Sequence, residues 1–188
     1  MSERFDKAAK YAVECHSGQK RKINGAPYVL HPFEVATIAA TMTDDEDVLI
    51  ASLLHDVVED TPATIEDVER LFGDKVGALV RGESENKYED QPPDKTWKIR
   101  KEESLAKLAS SKDKGLKILW LSDKLANIRS YASAYDKIGD ELWQHFNQKD
   151  KNLHKWYYKR VLELTASDLG ETYAYRECKA LYEKIFGR

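Results

Sequence analysis

The chain has 188 residues, of which 41% are hydrophobic and 34% are charged. This balance excludes an intrinsically disordered chain, and the length fits one domain over residues 1–188. The formal net charge of −3 excludes a general attraction to nucleic acid or anionic lipid, so phosphate binding would need a local basic patch such as Lys20, Arg21 and Lys22.

The cysteines and the N-terminus bear on the compartment. Cys15 and Cys178 have no CxxC spacing, which favours reduced core thiols over a disulfide or a zinc knuckle. The N-terminus lacks the apolar stretch of a signal peptide, and the longest apolar run, 48–54, is too short to cross a bilayer. We therefore expect a cytoplasmic protein without a membrane partner.

Helical periodicity begins near the N-terminus. Phe5, Ala8, Ala9 and Ala12 form an i, i+3, i+4, i+7 stripe, which predicts a first helix ending near residues 17–18. Residues 18–32 are predicted to form an ordered loop, since they carry an Asn-Gly turn dipeptide and two prolines, of which Pro32 fits the first turn of the next helix.

Helical patterns then continue to the C-terminus, and no alternating strand pattern competes with them. They cover residues 33–40, 47–58, 65–72, 75–80, 97–109, 116–135, 141–146, 154–166 and 173–186. Thr64 begins a capping-box variant, and Gly73 and Gly82 are predicted helix C-caps. The sequence therefore predicts an all-α bundle of about ten short helices, with residues 82–94 as one long loop that suits a binding or lid segment.

Two ionisable residues interrupt the apolar segment 48–58. Adjacent His55 and Asp56 would be costly to bury unless they were paired or bound to a metal. A hydrogen-bonded core pair is the simpler interpretation of this dipeptide alone.

Two further residues favour a metal site. Asp123 interrupts the apolar segment 116–125 in the same way, and His31 precedes Pro32 at the start of another helix. Two imidazoles and two carboxylates could hold a divalent cation and leave positions open for water and substrate. Such mixed ligands suit manganese, iron or zinc.

Glu59 and Asp60 follow one helical turn after His55 and Asp56. The i+4 spacing predicts that the four side chains share a helix face. Alone, the acid pair would be a solvated helix end; beside a metal, it is better interpreted as a general acid/base pair.

Four ordered blocks of this sequence resemble the HD superfamily, and more closely the hydrolase domain of the Rel/Spo alarmone enzymes and their stand-alone small hydrolase relatives. The blocks read HSGQKRK at 16–22, GAPYVLHP at 25–32, LHDVVEDT at 54–61 and LSDKLANIR at 121–129. The resemblance covers roughly residues 4–135.

The resemblance implies an all-α HD-type fold and one manganese ion. Its ligands would be His31, His55, Asp56 and Asp123. It also implies hydrolysis of the 3′-pyrophosphate of guanosine tetra- or pentaphosphate, with release of pyrophosphate and GDP or GTP.

The resemblance also implies roles for other residues. Glu59 and Asp60 would supply the catalytic acids. The implied substrate-binding residues are Arg21, Lys22 and Asn127, with Ser130 extending the same wall. Tyr28 is expected either to pack against the site wall or to contact the substrate. An arginine at such a position can stack on a base or fork onto phosphate, whereas a lysine offers a point charge.

Two departures leave the substrate open. Trp120 stands where the family usually has a lysine, and segment 82–87 differs from the usual threonine-containing loop. Alternatives are hydrolysis of an adenosine alarmone, NADPH or another nucleotide, and a nucleotide-sensing module without turnover. Trp120 itself is expected in the core.

Three other features have structural interpretations. His16 is expected to cap or pack its helix end. The basic segment 98–101 could supply phosphate contacts, but the alternating charges that follow it, to residue 103, favour an ordinary solvated face. The aromatic segment 146–159 fits core packing best, with a nucleotide-stacking wall or a homo-oligomer contact as alternatives.

Overall fold

The computed structural model describes residues 2–88 and 90–187. Within these ranges the chain is helical and has no strand beyond an isolated bridge between Lys20 and Pro27. The helices are α1 Glu3–Cys15, α2 Leu30–Ala39, α3 Glu46–Leu54, α4 Val57–Asp60, α5 Ile65–Phe72, α6 Asp74–Glu83, α7 Pro93–Ser110, α8 Lys114–Ile138, a 3₁₀ helix Gly139–His145, α9 Lys151–Leu169 and α10 Tyr173–Phe186. The all-α prediction is confirmed.

Helix α8 is the central element. It packs against α2, α3, α6, α9 and α10. Leu119, Trp120 and Leu121 are consecutive and fully buried, so the helix is apolar around its circumference in this stretch, as expected for a helix enclosed by neighbours. Asp113 caps its N-terminus by accepting the N–H of Gly115 at 2.7 Å. The prediction of Trp120 as a core residue is confirmed.

The predicted caps of the middle helices are confirmed in part. Thr64 and Asp67 form the reciprocal capping box of α5, and Gly73 ends that helix with φ +96°. Gly82 was predicted to be a cap, which is wrong: α6 continues to Glu83. A Cβ at Gly82 would lie 2.9 Å from a methyl carbon of Leu116, so glycine here permits close packing of α6 on α8.

The predicted helix 47–58 is also interrupted. α3 ends at Leu54 and α4 begins at Val57, which leaves His55 and Asp56 in the junction. The ring Nδ1 of His55 bonds the carbonyl of Ser52 at 2.8 Å, and this side-chain bond competes for a carbonyl of the last helical turn. The junction directs both side chains towards α2 and α8.

The loop before α2 is ordered by backbone hydrogen bonds. Arg21 N–H donates to Ala26 at 2.8 Å and Tyr28 N–H donates to Gln19 at 2.9 Å, while Gly25 has φ +68°. His16 caps α1, packs its ring 4.9 Å from that of Tyr28 and bonds Gln19, as expected for a packed helix end. Within the two described ranges, no helix has both the length and the hydropathy to cross a bilayer.

Candidate active site

Side chains from three parts of the chain converge at the α3–α4 junction. Nε2 of His31, on α2, lies 2.9 Å from Oδ1 of Asp123, on α8, and 3.5 Å from Oδ2 of Asp56. Nε2 of His55 lies 3.0 Å from Oδ2 of Asp56 and 3.6 Å from Oδ1 of Asp123. The structure therefore brings together all four residues that were predicted as metal ligands.

Neighbouring groups fix the orientation of these side chains. The bond from Nδ1 of His55 to the Ser52 carbonyl turns Nε2 towards the cluster. The Tyr28 hydroxyl donates to Oδ2 of Asp56 at 2.7 Å, and the Asn127 amide donates to Oδ1 of Asp123 at 2.7 Å. Each of these contacts restrains one potential ligand atom.

The cluster fits a divalent metal ion. Nε2 of His55 is buried and lies close to two carboxylate oxygens, but in the described part of the chain it makes no hydrogen bond of acceptable geometry, which a buried imidazole nitrogen normally does. Nitrogen atoms of His31 and His55 and a carboxylate oxygen of Asp123 lie within 4.8 Å of one another, and all three residues are buried. Imidazole and carboxylate together suit a borderline divalent ion such as zinc, iron or manganese.

The electrostatics of the cluster also favour a cation. Burial alone would lower the pKa of His55, but Asp56 and Asp123 outweigh it and raise the pKa well above its ordinary value. Burial would raise the pKa of Asp123, yet Lys124, His31 and His55 hold it well below its usual range. Asp123 is therefore ionised, and a metal ion would replace the proton that the carboxylates stabilise on His55 in the metal-free protein.

Glu59 and Asp60 line a cleft that is also lined by His31, Asp56 and Asp123. Oε1 of Glu59 accepts the backbone N–H of Glu85 at 2.7 Å. Lys87 pairs with Asp60 at 2.7 Å and also contacts the Glu59 carbonyl, so the loop after α6 holds both acids. Glu59 is the less exposed of the two.

The pKa of Glu59 is raised to about 8 in the metal-free protein. Burial is the largest cause, and the negative charges of Glu83, Asp56 and Glu85 add to it. Burial likewise raises the pKa of Glu83 to about 7, although Lys124 opposes the shift. A carboxyl group that titrates near neutral pH is suited to proton transfer.

These raised pKa values predict a pH-dependent stability of the metal-free protein. The folded state binds protons more tightly than the unfolded chain, so this stability is complete below the ordinary pKa of 4.5 and is lost as pH rises towards about 8. At pH 8, we expect Glu59→Gln to raise the unfolding free energy by roughly 2 kcal/mol, or about 4–8 °C in Tm. Thermal unfolding in a chelator at pH 5 and pH 8 measures this, with the exposed Glu66→Gln as control; equal pH dependence in all three proteins would contradict it.

The cleft lined by Asp56, Glu59 and Asp123 is the main cleft of the site and has a volume of about 640 Å³. Of the predicted substrate-binding residues, it is lined by Arg21, Lys22, Tyr28 and Asn127. Arg21 donates to the Asn127 amide oxygen at 3.0 Å and lies over the Tyr28 ring at 5.6 Å. Ser130 instead lines an adjacent cleft of about 380 Å³, which shares Arg21 and His31 with the first.

The prediction of a solvated face for the start of α7 is wrong for two residues. Lys98 is exposed, but the side chains of Arg100 and Lys101 are only 13% and 17% exposed. They pair with Glu85 at 3.1 and 2.5 Å and line the main cleft. Alternating charge identifies a polar helix face, but it does not show that a loop will cover that face.

Two more cleft residues were not predicted from the sequence. Glu83 and Lys124 are buried and pair with each other at 3.1 Å. Lys124 could have been predicted from the sequence, because it directly follows Asp123 within an apolar helical segment. A second charged residue there would be costly to bury without a partner.

The aromatic segment 146–159 packs in the core, as its first interpretation proposed. Tyr157 and Tyr158 are buried, and the Trp143, Phe146 and His154 rings stack at 4.9–6.3 Å between centroids. Part of this cluster also lines a cavity of about 230 Å³ beside the main cleft, which leaves the stacking-wall alternative open.

Comparison with known sequences gives consistent relatives. The guanosine-3′,5′-bis(diphosphate) 3′-pyrophosphohydrolase of Aquifex aeolicus (strain VF5) is 32% identical over 98% of this chain and 25% of its own length. The bifunctional (p)ppGpp synthase/hydrolase SpoT of Escherichia coli (strain K12) is 39% identical over 70% of this chain and 18% of its own length. The chain thus spans about a quarter or less of these curated relatives.

Two solved structures match over most of both chains. One is described as a metazoan ortholog of SpoT that hydrolyzes ppGpp; it aligns with a TM-score of 0.77 and 30% identity over 98% of this chain and 96% of its own. The other is lmo0812 from Listeria monocytogenes EGD-e, with a TM-score of 0.73 and 30% identity over 84% of this chain and 99% of its own.

A family model described as an HD domain matches residues 8–149. The matched region contains all four residues of the buried cluster as well as Glu59 and Asp60. The resemblance inferred from the four sequence blocks is confirmed, and the chain belongs to the HD domain family.

Proposed function

We propose that this chain hydrolyses the 3′-pyrophosphate of guanosine tetra- and pentaphosphate (ppGpp and pppGpp), giving GDP or GTP and pyrophosphate, with one manganese ion. The observation that supports this most directly is the convergence of two imidazoles and two carboxylates. Three of the four residues, His31, Asp56 and Asp123, line the same cleft as Glu59. The relatives described as ppGpp hydrolases support the substrate.

His31, His55, Asp56 and Asp123 would hold the ion. When bound, the ion would polarise a phosphate oxygen and lower the pKa of water. The hydrogen bond from Tyr28 to Asp56 and that from Asn127 to Asp123 keep two ligand oxygens in place. For Tyr28, this bond favours an orienting role over direct substrate contact.

The acid pair would move the protons of the reaction. Water attacks the phosphorus next to the ribose 3′ oxygen, the bond from that phosphorus to the 3′ oxygen breaks, and pyrophosphate leaves. In our proposal Glu59 accepts the proton of the attacking water, because it lines the cleft beside His31, Asp56 and Asp123 and its carboxyl group titrates near neutral pH in the metal-free protein. Asp60, more exposed and paired with Lys87, relays a proton to the 3′ oxygen.

Basic and polar side chains would bind the nucleotide. Arg21 is positioned between the main cleft and the adjacent one, so its guanidinium is available to a base on one side and to phosphate on the other. Lys22 and Asn127 would contact phosphate or ribose in the main cleft, and Ser130 would extend the wall of the adjacent cleft.

A panel of released products tests the proposal. Metal-stripped protein is supplied with Mn²⁺, Mg²⁺ or Zn²⁺ and with ppGpp, its adenosine counterpart or NADPH, and pyrophosphate and orthophosphate are measured separately. We expect pyrophosphate from ppGpp, fastest with Mn²⁺. Orthophosphate from NADPH without pyrophosphate from ppGpp would replace this proposal by hydrolysis of another nucleotide. Nucleotide binding without any product would indicate a sensing module.

A further inference from the structure

Lys124 is a buried cation beside the proposed metal ligands. The residue is only 7% exposed, and its ammonium group contacts Oδ2 of Asp123 and lies 3.1 Å from Oε1 of Glu83. Glu83 is itself 5% exposed. Removing an ammonium group from water is costly, and the two carboxylates offset that cost by pairing with it.

Aromatic rings enclose the other sides of this ammonium group. Nζ of Lys124 lies 4.9 Å from the centroid of Trp120 and 5.7 Å from that of Tyr157. Ring faces attract cations, and both residues are buried. The carboxylates and rings around Nζ of Lys124 therefore stabilise a buried positive charge next to Oδ2 of Asp123, whereas the histidines face Oδ1.

The two oxygens of Asp123 have different partners. Oδ1 faces Nε2 of His31 at 2.9 Å and lies within the cluster of potential ligands, whereas Oδ2 contacts Lys124. In enzymes with two metal ions, the ions lie about 3.5–4 Å apart and clamp the substrate between them. Asp123 faces the potential metal ligands with Oδ1 and an ammonium group with Oδ2. The group next to Oδ2, where a second metal ion would lie in such enzymes, is the ammonium group of Lys124.

We infer that the ammonium group of Lys124 occupies the place of a second cation, so that Asp123 bridges one metal ion and one lysine and the centre binds a single divalent ion. This inference rests on the proposed metal centre, but it does not depend on which nucleotide is hydrolysed. Glu83 is the second carboxylate that pairs with Lys124. Without the lysine, its oxygen would be a ligand for a second metal ion.

Counting bound ions tests the inference without any activity assay. Metal-free protein is dialysed against saturating Mn²⁺, and bound manganese per chain is measured by mass spectrometry, with electron paramagnetic resonance to detect spin-coupled pairs. We expect one uncoupled ion in the wild type and two coupled ions in Lys124→Ala, which frees Oδ2 of Asp123 and Glu83. Lys124→Arg, which keeps the charge, should bind one ion, and so should the double variant Lys124→Ala/Glu83→Gln.

The outcomes separate the two proposals. Two ions in the wild type, or one ion in a folded Lys124→Ala protein, would overturn the inference. Either result would leave the proposed hydrolysis of ppGpp intact, and two ions in the wild type would also contradict the proposed single manganese ion. A wild type that binds no ion would overturn the metal centre itself. If circular dichroism shows that Lys124→Ala is unfolded, Lys124→Asn, which retains a polar side chain, is measured in its place with the same expected count of two.

Discussion

Replacing Asp123 by asparagine is expected to abolish manganese-dependent turnover and to weaken metal binding by more than about 100-fold, since even groups that only orient a ligand contribute 10–100-fold. The substitution keeps the size of the side chain but removes the charge that faces His31 and His55. Bound manganese after dialysis and pyrophosphate release from ppGpp measure the two effects.

The matched control lies on the same helix. Asp136, also on α8, is exposed and pairs only with the surface residue Lys184 among its described contacts. Asp136→Asn should therefore retain metal content and turnover, because exposed ion pairs contribute little. Full activity in Asp123→Asn would show that the metal centre has been placed wrongly.

Glu59→Gln is expected to lower kcat by about 10²–10⁴-fold, the usual contribution of a positioned general acid or base. Glutamine can still accept the Glu85 N–H, so the local structure and the metal content should change little. Rate–pH profiles and metal analysis measure these effects separately. The expected combination is a slow enzyme with a normal amount of bound ion.

A control variant distinguishes proton transfer from general loss of charge. Glu66→Gln removes an exposed carboxylate from the next helix, α5, and should leave kcat within about 2-fold, because surface substitutions away from a site have small effects. A Glu59→Gln protein that kept its wild-type kcat and pH profile would refute the assignment of Glu59 as the base.

Local signals predicted much of the fold. The capping box at Thr64 and the glycine at position 73 define the ends of α5 through short-range hydrogen bonds and backbone conformation, which a sequence displays directly. Tertiary contacts are not displayed in this way. Gly82 looked like a cap, but its role depends on Leu116 of a distant helix.

The candidate site shows the same division. His31, His55, Asp56 and Asp123 could be proposed because polar residues interrupt apolar helices, and the structure brings them together. The environment of Arg100 and Lys101 could not be deduced, since it depends on how the loop carrying Glu85 folds over α7. The junction at His55 also escaped prediction, because periodicity does not reveal a side chain that competes for a helix carbonyl.

The scattered origin of the four clustered residues links ion binding to folding. They come from α2, the α3–α4 junction and α8, so only a chain with these elements assembled presents them together. A ligand that binds only the native state shifts the folding equilibrium by mass action, by about 2.7 kcal/mol at a concentration 100 times its Kd. Bound manganese would therefore stabilise the assembled bundle. Removing it would increase local opening of the chain and its susceptibility to proteolysis.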